Sequence, residues 1–426
     1  MIHPGFASER HWVKCFILVV WLLLLQMAPS DACTIFYISM NGITLGGNNE
    51  DWEDPATRFW VYPPTNGKHG WIKFGFGSGF PQGGMNDQGL FWDATAGPYM
   101  DMPRSEANKV LYQGPLMQKI IEECSSIPDA VEVFDAYYCE DQYKAQYLLG
   151  DYKGHSMIVE GDSILHKSTY YQVLTNFYQS DPELGGYPCW RYEKAIELLG
   201  QCELLTLHFA GEVLAHTHQE GRYPTQYSNI YDLKNQLVYL FYFHNYEEYL
   251  FIDLHEAMKQ GASSWDIPPL FSQVSLIGPL HGDTLTGSTA TIEWLGLQKS
   301  DYSIVCSENP DLSNPVLVAT ARPGEGINNQ ASFPLILSMI LPLVVLTFRK
   351  SRGLLLPIFL IIAMIIFNSC QWEDEQKETE MPVEFSETLE NLVPGTGYYW
   401  KIVACADPSG TWNTETTIQN FFIADE

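Results

Sequence analysis

Apolar and polar positions along the chain follow two styles, which change near residue 272. Before it, short runs of β type mix with stretches of helical period. Cys33–Ser39 is a β-rich run, Asn41-Gly42 a turn signal and Ile43–Gly47 a second run, which together predict a hairpin. Leu111–Cys124 has a helical period, and Pro128–Tyr138 continues it after a turn. Gln146–Glu160 predicts a hairpin around Asp151-Tyr152-Lys153-Gly154. Arg191–Leu199 reads as a short amphipathic helix, and Gln236–Tyr242 and Tyr249–Ile252 as apolar strands. The Pro268-Pro269 pair closes a unit that spans residues 33–271.

From residue 272 to 426 the runs are short and alternating: Thr289–Trp294, Asp301–Cys306 and Tyr398–Ala404, bounded by Pro, Gly, Asn and Asp. The stretch Val393-Pro394-Gly395-Thr396-Gly397-Tyr398-Tyr399-Trp400-Lys401 resembles the entry to the sixth strand of fibronectin type III domains. That resemblance implies an all-β sandwich for this half. Two strongly apolar runs interrupt it, Phe333–Phe348 and Gly353–Phe367, separated by Arg349-Lys350-Ser351-Arg352. A membrane hairpin over residues 333–368 with its basic loop on the cytoplasmic side is one reading. The runs are shorter than the ~20 residues of a comfortable span, and Pro342 and Pro357 fall inside them. A misplaced lipoprotein-like leader ending Asn368-Ser369-Cys370, or a segment foreign to the β-domain, are the others.

The chain of 426 residues has 46% hydrophobic and 14% aromatic residues, which favours packed domains over disorder. A formal charge of −28 leaves no basic field for phosphates, so nucleic acid is excluded as a partner. The nine cysteines contain no C-x-x-C pair, and no zinc site is expected. His216 and His218, read as one face of a strand, are too few ligands for a metal. Cys306 and Cys405 would lie on neighbouring strands, which admits a disulfide between them.

The N-terminus supplies the chemistry. Arg10, His11 and Lys14 precede a nearly unbroken apolar run, Cys15–Met27, too short to span a membrane comfortably. Ser30 and Ala32 are the small residues that a signal peptidase favours, so residues 1–32 read as a signal peptide. An uncleaved anchor and a lipoprotein acylated at Cys33 are the alternatives, the second disfavoured by Ser30 three residues before it. Cleavage makes Cys33 the first residue, with a thiol nucleophile and a free α-amine on one residue. That amine titrates near ~8 in model peptides and can act as a local base. Export to a secreted, periplasmic or cell-surface location follows, with membrane anchoring left open.

Five segments extend the pattern: Leu45-Gly46-Gly47-Asn48-Asn49-Glu50-Asp51-Trp52, Gly84-Met85-Asn86-Asp87-Gln88-Gly89-Leu90, Leu149-Gly150-Asp151-Tyr152-Lys153-Gly154-His155-Ser156, Val173-Leu174-Thr175-Asn176-Phe177 and Arg191-Tyr192-Glu193. With Cys33-Thr34, their order and spacing resemble the choloylglycine hydrolase and penicillin V acylase family, N-terminal nucleophile hydrolases of linear amide C–N bonds. The resemblance covers residues 33–271. It implies an α+β fold, a four-layer αββα sandwich, here followed by the fibronectin-like domain.

It also implies roles. Cys33 would be the nucleophile and Asp51 would hold its amine. Asn176 would give an oxyanion-hole N–H, and Arg191 would stand beside the thiolate. Two departures touch the substrate side. Asn48 stands where bile-salt-type members carry an arginine, which puts bile-salt specificity in doubt. Asp93-Ala94-Thr95-Ala96-Gly97 lacks their second oxyanion-hole asparagine, so Thr95 or a backbone N–H would substitute. Asn86 and His155 read as turn residues.

The expected activity is hydrolysis of a small-molecule acyl amide, with no cofactor. Acyl transfer by the same fold, or an adhesion or binding protein with an inactive hydrolase domain, are the alternatives. Homo-oligomers are expected by analogy alone.

Overall fold

A computed structural model describes residues 33–96, 108–184, 187–321, 381–407 and 409–425. The expected signal peptide and both apolar runs of 333–368 lie outside the described residues. No helix among the described residues is long and apolar enough to cross a membrane. These residues are mostly sheet with few helices.

The chain starts with the expected hairpin. Strand β1 (Thr34–Met40) runs into β2 (Ile43–Asp51) through Asn41 (φ 54°) and Gly42 (φ 81°). Two consecutive left-handed residues form the two-residue turn whose twist suits a hairpin, and Asn-Gly supplies them at little cost. The register runs from Met40↔Ile43 to Thr34↔Asn49. Strand β2 is buried on both faces because its glycines admit rings. A Cβ on Gly46 would lie 2.8 Å from the Phe91 ring, and one on Gly47 2.5 Å from that of Phe36.

Strands β1 and β2 sit in a sheet ordered Tyr171–Leu174, β1, β2, Thr225–Asp232, Leu237–Tyr242, Asn245–Asp253. A second sheet contains β3 (Thr57–Tyr62), β4 (Trp71–Phe76), β5 (Pro81–Asn86) and β6 (Leu90–Ala96). It continues from β6 through Ala145–Asp151, Ser156–Glu160 and Ser163–His166. Ile35, Tyr37, Phe59, Phe74, Phe91 and Tyr231 contribute to the core shared by the two sheets. The opposite face of the first sheet, with Phe36, Ile38 and Leu45, packs on helices Trp190–Gly200 and Leu207–Thr217. The opposite face of the second, with Trp92 and Leu149, packs on helices Leu116–Glu123 and Ile127–Ala136. Asn86 ties strand to helix. Its amide donates to the carbonyls of Ile121 (2.8 Å) and Cys124 (2.9 Å), and its Oδ1 accepts from the amides of Gln88 and Leu90.

Two expectations are corrected. His216 and His218 lie at the C-terminal end of helix Leu207–Thr217, whose first turn is capped by Thr206, and not on a strand. Cys306 pairs with Trp400 and Cys405 with Asp301, at opposite ends of one ladder, and both thiols are free.

Beyond residue 272, strands of two sheets surround a core that contains Trp294, Tyr302, Phe385 and Trp400. One of these sheets is continuous with the first sheet. Thr414–Thr416 pairs with Asn245–Asp253 in the register Glu248↔Thr416 and Leu250↔Thr414. The buried Glu248 carboxylate accepts from the amides of Ser272 (2.9 Å) and Val274 (2.8 Å) and from the Thr414 hydroxyl. Trp412 enters the core between the two N-terminal sheets, edge-on to Phe59 (5.6 Å) and Trp265 (6.0 Å).

Candidate active site

Strand alternation sorts the polar residues near Cys33 onto two faces. Ile35 and Tyr37 on β1 point into the space between the sheets, and Thr34 and Phe36 toward the helices. Because Ile35 pairs with Asn48 and Thr34 with Asn49, Asn48 and Glu50 share the inter-sheet face, and Asn49 and Asp51 the helix face. The Cys33 thiol accordingly faces Glu50, with Sγ 3.4 Å from Oε1. Asn48 donates to the other Glu50 oxygen (3.4 Å) and accepts from Asn229 (3.1 Å). Both ends of its amide thus bond within the protein.

On the helix face, Arg191 occupies the first turn of helix Trp190–Gly200 and is 2% exposed. Its Nη1 donates to the Cys33 carbonyl (2.9 Å) and to Thr34 Oγ1 (3.4 Å), and lies 3.5 Å from Asp51 Oδ2. Its Nη2 donates to Asn176 Oδ1 (3.4 Å). These bonds fix the main chain at Cys33 and Thr34. Asp51 Oδ1 accepts from the Thr225 hydroxyl, and its Oδ2 takes no hydrogen bond among the described residues. Asn49 is locked by Leu214, Thr217, Ser228 and Tyr246.

Asn176 follows the strand that pairs Leu174 with Ile35, which carries it alongside Cys33. Its Nδ2 donates to Thr95 Oγ1 and to the Ala96 carbonyl (3.1 Å). Both amide hydrogens are committed, so the arrangement differs from the expected oxyanion donor. Thr95 accepts from Asn176 and therefore keeps its own hydroxyl hydrogen to give.

The sequence thus brings Cys33, Asp51, Asn176, Arg191, Asn48 and Thr95 into one buried region. Glu50, Asp93 and Thr225 belong to it as well and were not singled out from the sequence. The signal for Glu50 was the hairpin register, which puts it on the face of Cys33. Asp93 lies two residues before Thr95 on the same face of β6, and neither of its oxygens meets a partner at hydrogen-bonding geometry among the described residues. The Gln146 amide beside Thr95 is likewise unpartnered.

Burial dominates the electrostatics. It pushes the Cys33 thiol well above its ordinary range, and Glu50, Asp51 and Asp93 push it further. Burial raises Glu50 and Asp93 too, each also raised by an acidic neighbour. Asp51 is pushed up to about 8 by burial, against the pull of Arg191 and Thr225. Around neutrality the sulfur is therefore a thiol among largely neutral acids, and it needs a base to become a nucleophile.

No protein-family profile matches the chain, and no curated protein matches it. Solved structures do. A variant of the conjugated bile acid hydrolase from Clostridium perfringens is 15% identical, covers 55% of this chain and 97% of its own, and has a TM-score of 0.43. A second mutant of that hydrolase is 16% identical at the same coverage and TM-score. Penicillin V acylase from Agrobacterium tumefaciens is 17% identical, covers 49% of this chain and 82% of its own, and has a TM-score of 0.34. The chemistry rests on the side chains around Cys33 and not on these likenesses.

Proposed function

We propose that this chain is an exported cysteine amidohydrolase that cleaves a linear, non-peptide acyl amide through a thioester on Cys33. The observation that carries the reading is the buried chain of contacts that joins Cys33, through its main chain, to Arg191, Asp51, Asn176 and Thr95, drawn from four distant segments. Removal of residues 1–32 would free the α-amine of Cys33, and Asp51, whose Oδ2 has no hydrogen-bond partner among the described residues, is the carboxylate proposed to hold it. The amine takes the thiol proton as sulfur attacks the amide carbon. Negative charge forms on the carbonyl oxygen, for which the Thr95 hydroxyl is the available donor. The C–N bond then breaks and the ammonium returns the proton to the leaving amine. Water cleaves the thioester, giving the acid and regenerating the thiol.

An apolar cavity of about 240 Å³, lined in part by Trp92, Leu116, Met117, Tyr147 and Thr95, is suited to an acyl chain. The three cores around the two sheets support the αββα sandwich. The Trp294–Trp400 core supports a fibronectin-like second domain. Secretion or surface display, with 333–368 at a membrane, belongs to the same proposal, as does a homo-oligomer.

The test is intact-mass spectrometry of the exported protein with a panel of acyl amides. A chain beginning at Cys33 that gains an acyl mass on that residue, with no gain in Cys33→Ala, is expected. A native chain that begins elsewhere yet hydrolyses the amides overturns the mechanism.

A further inference from the structure

On the helix-side end of the first sheet, away from the Cys33 sulfur, His218, Glu220 and His244 bring two imidazole nitrogens and a carboxylate oxygen within 4.8 Å of one another. His218 follows helix Leu207–Thr217, Glu220 lies two residues on, and His244 sits in the turn between strands Leu237–Tyr242 and Asn245–Asp253. The two rings are 4.5 Å apart between centroids. The Nδ1–H of His218 donates to the Ala215 carbonyl, which orients that ring. An imidazole fixed through one nitrogen by a carbonyl presents the other as a lone pair, the arrangement that metal-bound histidines use.

The second nitrogens match that role. The Nε2 of His244 is buried and has no hydrogen-bond partner among the described residues. The Nε2 of His218 lies 3.5 Å from Glu220 Oε1. Tetrahedral bonds of about 2.0–2.1 Å would set two ligand atoms roughly 3.3 Å apart, so this pair is already at near-ligand spacing. The turn adds a local sign. Phe243 (φ 41°) and His244 (φ 65°) are both left-handed, where the two-residue hairpin turn prefers Asn-Gly. A bulky residue is kept there against its backbone preference.

We propose that His218, His244 and Glu220 form a site for a zinc-type divalent cation, bound through two imidazole nitrogens and one carboxylate with a fourth position left to water. Two neutral nitrogens and one carboxylate suit Zn²⁺ better than Mg²⁺ or Ca²⁺, which favour all-oxygen shells. The proposal stands independently of the amidase reading. It has a consequence for the Cys33 region nonetheless. Gln219, between two of the ligands, donates its amide to Thr225 Oγ1 (2.8 Å), and Thr225 N donates to the Gln219 carbonyl (2.8 Å). Thr225 in turn holds Asp51. A cation that clamps residues 218–220 thereby stiffens the support of Asp51.

The test uses the full chain carrying Cys33→Ala, which removes a competing thiol. Zn²⁺ is titrated by calorimetry, and Co²⁺ is added as a spectroscopic probe. One equivalent of Zn²⁺ and the visible bands of four- or five-coordinate Co²⁺ are expected. Both should be lost in His218→Ala and His244→Ala. Glu220→Gln changes an exposed side chain, so it should leave the metal-free melting temperature unchanged while weakening Zn²⁺ at least tenfold. Equal Zn²⁺ uptake by parent and Glu220→Gln, or no uptake by the parent, overturns the site.

Discussion

Replacing Glu50 by Gln tests the electrostatic account of the site most directly. Glu50 is 2% exposed, faces the Cys33 thiol and accepts from Asn48. Burial pushes its carboxyl from the ordinary value of 4.5 up to about 8. The sign follows from proton binding. Between these two values the folded chain keeps the proton and the unfolded chain releases it. The stability that neutral Glu50 contributes is full below pH 4.5 and is lost as the pH rises toward 8. The loss is about 1.4 kcal/mol per pH unit, which reaches roughly 3 kcal/mol at pH 7. Gln is neutral at every pH and does not lose it.

Glu50→Gln should therefore gain on the wild type as pH rises, from no pH-linked advantage at pH 4.5. Mispairing of the Gln amide with the thiol or with Asn48 subtracts about 1 kcal/mol at all pH values, so the slope is the diagnostic quantity. Asp51 and Asp93 titrate in both proteins. Without the Glu50 charge they ionise more easily, which adds to the same trend. Melting curves at half-unit steps from pH 4.5 to 7.5 would measure it, with an expected relative gain of several degrees. A difference that stays flat with pH, or grows toward acid, would refute the claim that Glu50 is held neutral.

Further outcomes follow from the same geometry. Thr95→Val should lower kcat by about 10²–10³ with little change in KM, as expected for a lost oxyanion donor, and steady-state kinetics on an amide cleaved by the wild type would show it. Iodoacetamide should modify Cys33 far more slowly at pH 7.5 than it modifies free cysteine, because burial and the acidic neighbours hold the thiol protonated. Asp93→Asn should speed that reaction, and a faster wild-type rate than free cysteine would contradict the assignment. Trp412→Ala should destabilise the protein by about 3–5 kcal/mol in denaturant unfolding, since its ring fills the core beside Phe59 and Trp265.

Local signals carried much of this structure. Asn41-Gly42 announced the first hairpin, Asp151–Gly154 the later one, and Asn86 its turn. Helix Leu207–Thr217 escaped notice because Gly211 breaks its propensity and its buried positions, Ala210, Val213, Leu214 and Thr217, are partly small or polar. The neighbourhood of Asp51 was hidden for another reason. Thr225 lies 174 residues away, and only sheet pairing brings the two together. Glu50 is legible from strand alternation, which sets it on the face of the Cys33 thiol and its neighbour Asp51 on the other. Arg191 lies beside Cys33 in the fold, and which atom of Cys33 it touches depends on how helix Trp190–Gly200 approaches β1. No pattern in the sequence encodes that approach.

The pairing of Thr414–Thr416 with Asn245–Asp253 makes completion of the N-terminal half's first sheet wait for a strand far along the chain. Until residue 416 has been made, that half carries a bare strand margin open to other chains, and Glu248 lacks its threonine donor. A fragment cut at residue 271 would keep every side chain around Cys33 and still be prone to clump. Beyond residue 381 the chain returns to the sheet that holds β1 and β2, so one hydrogen-bonded ladder belongs to both halves of this protein.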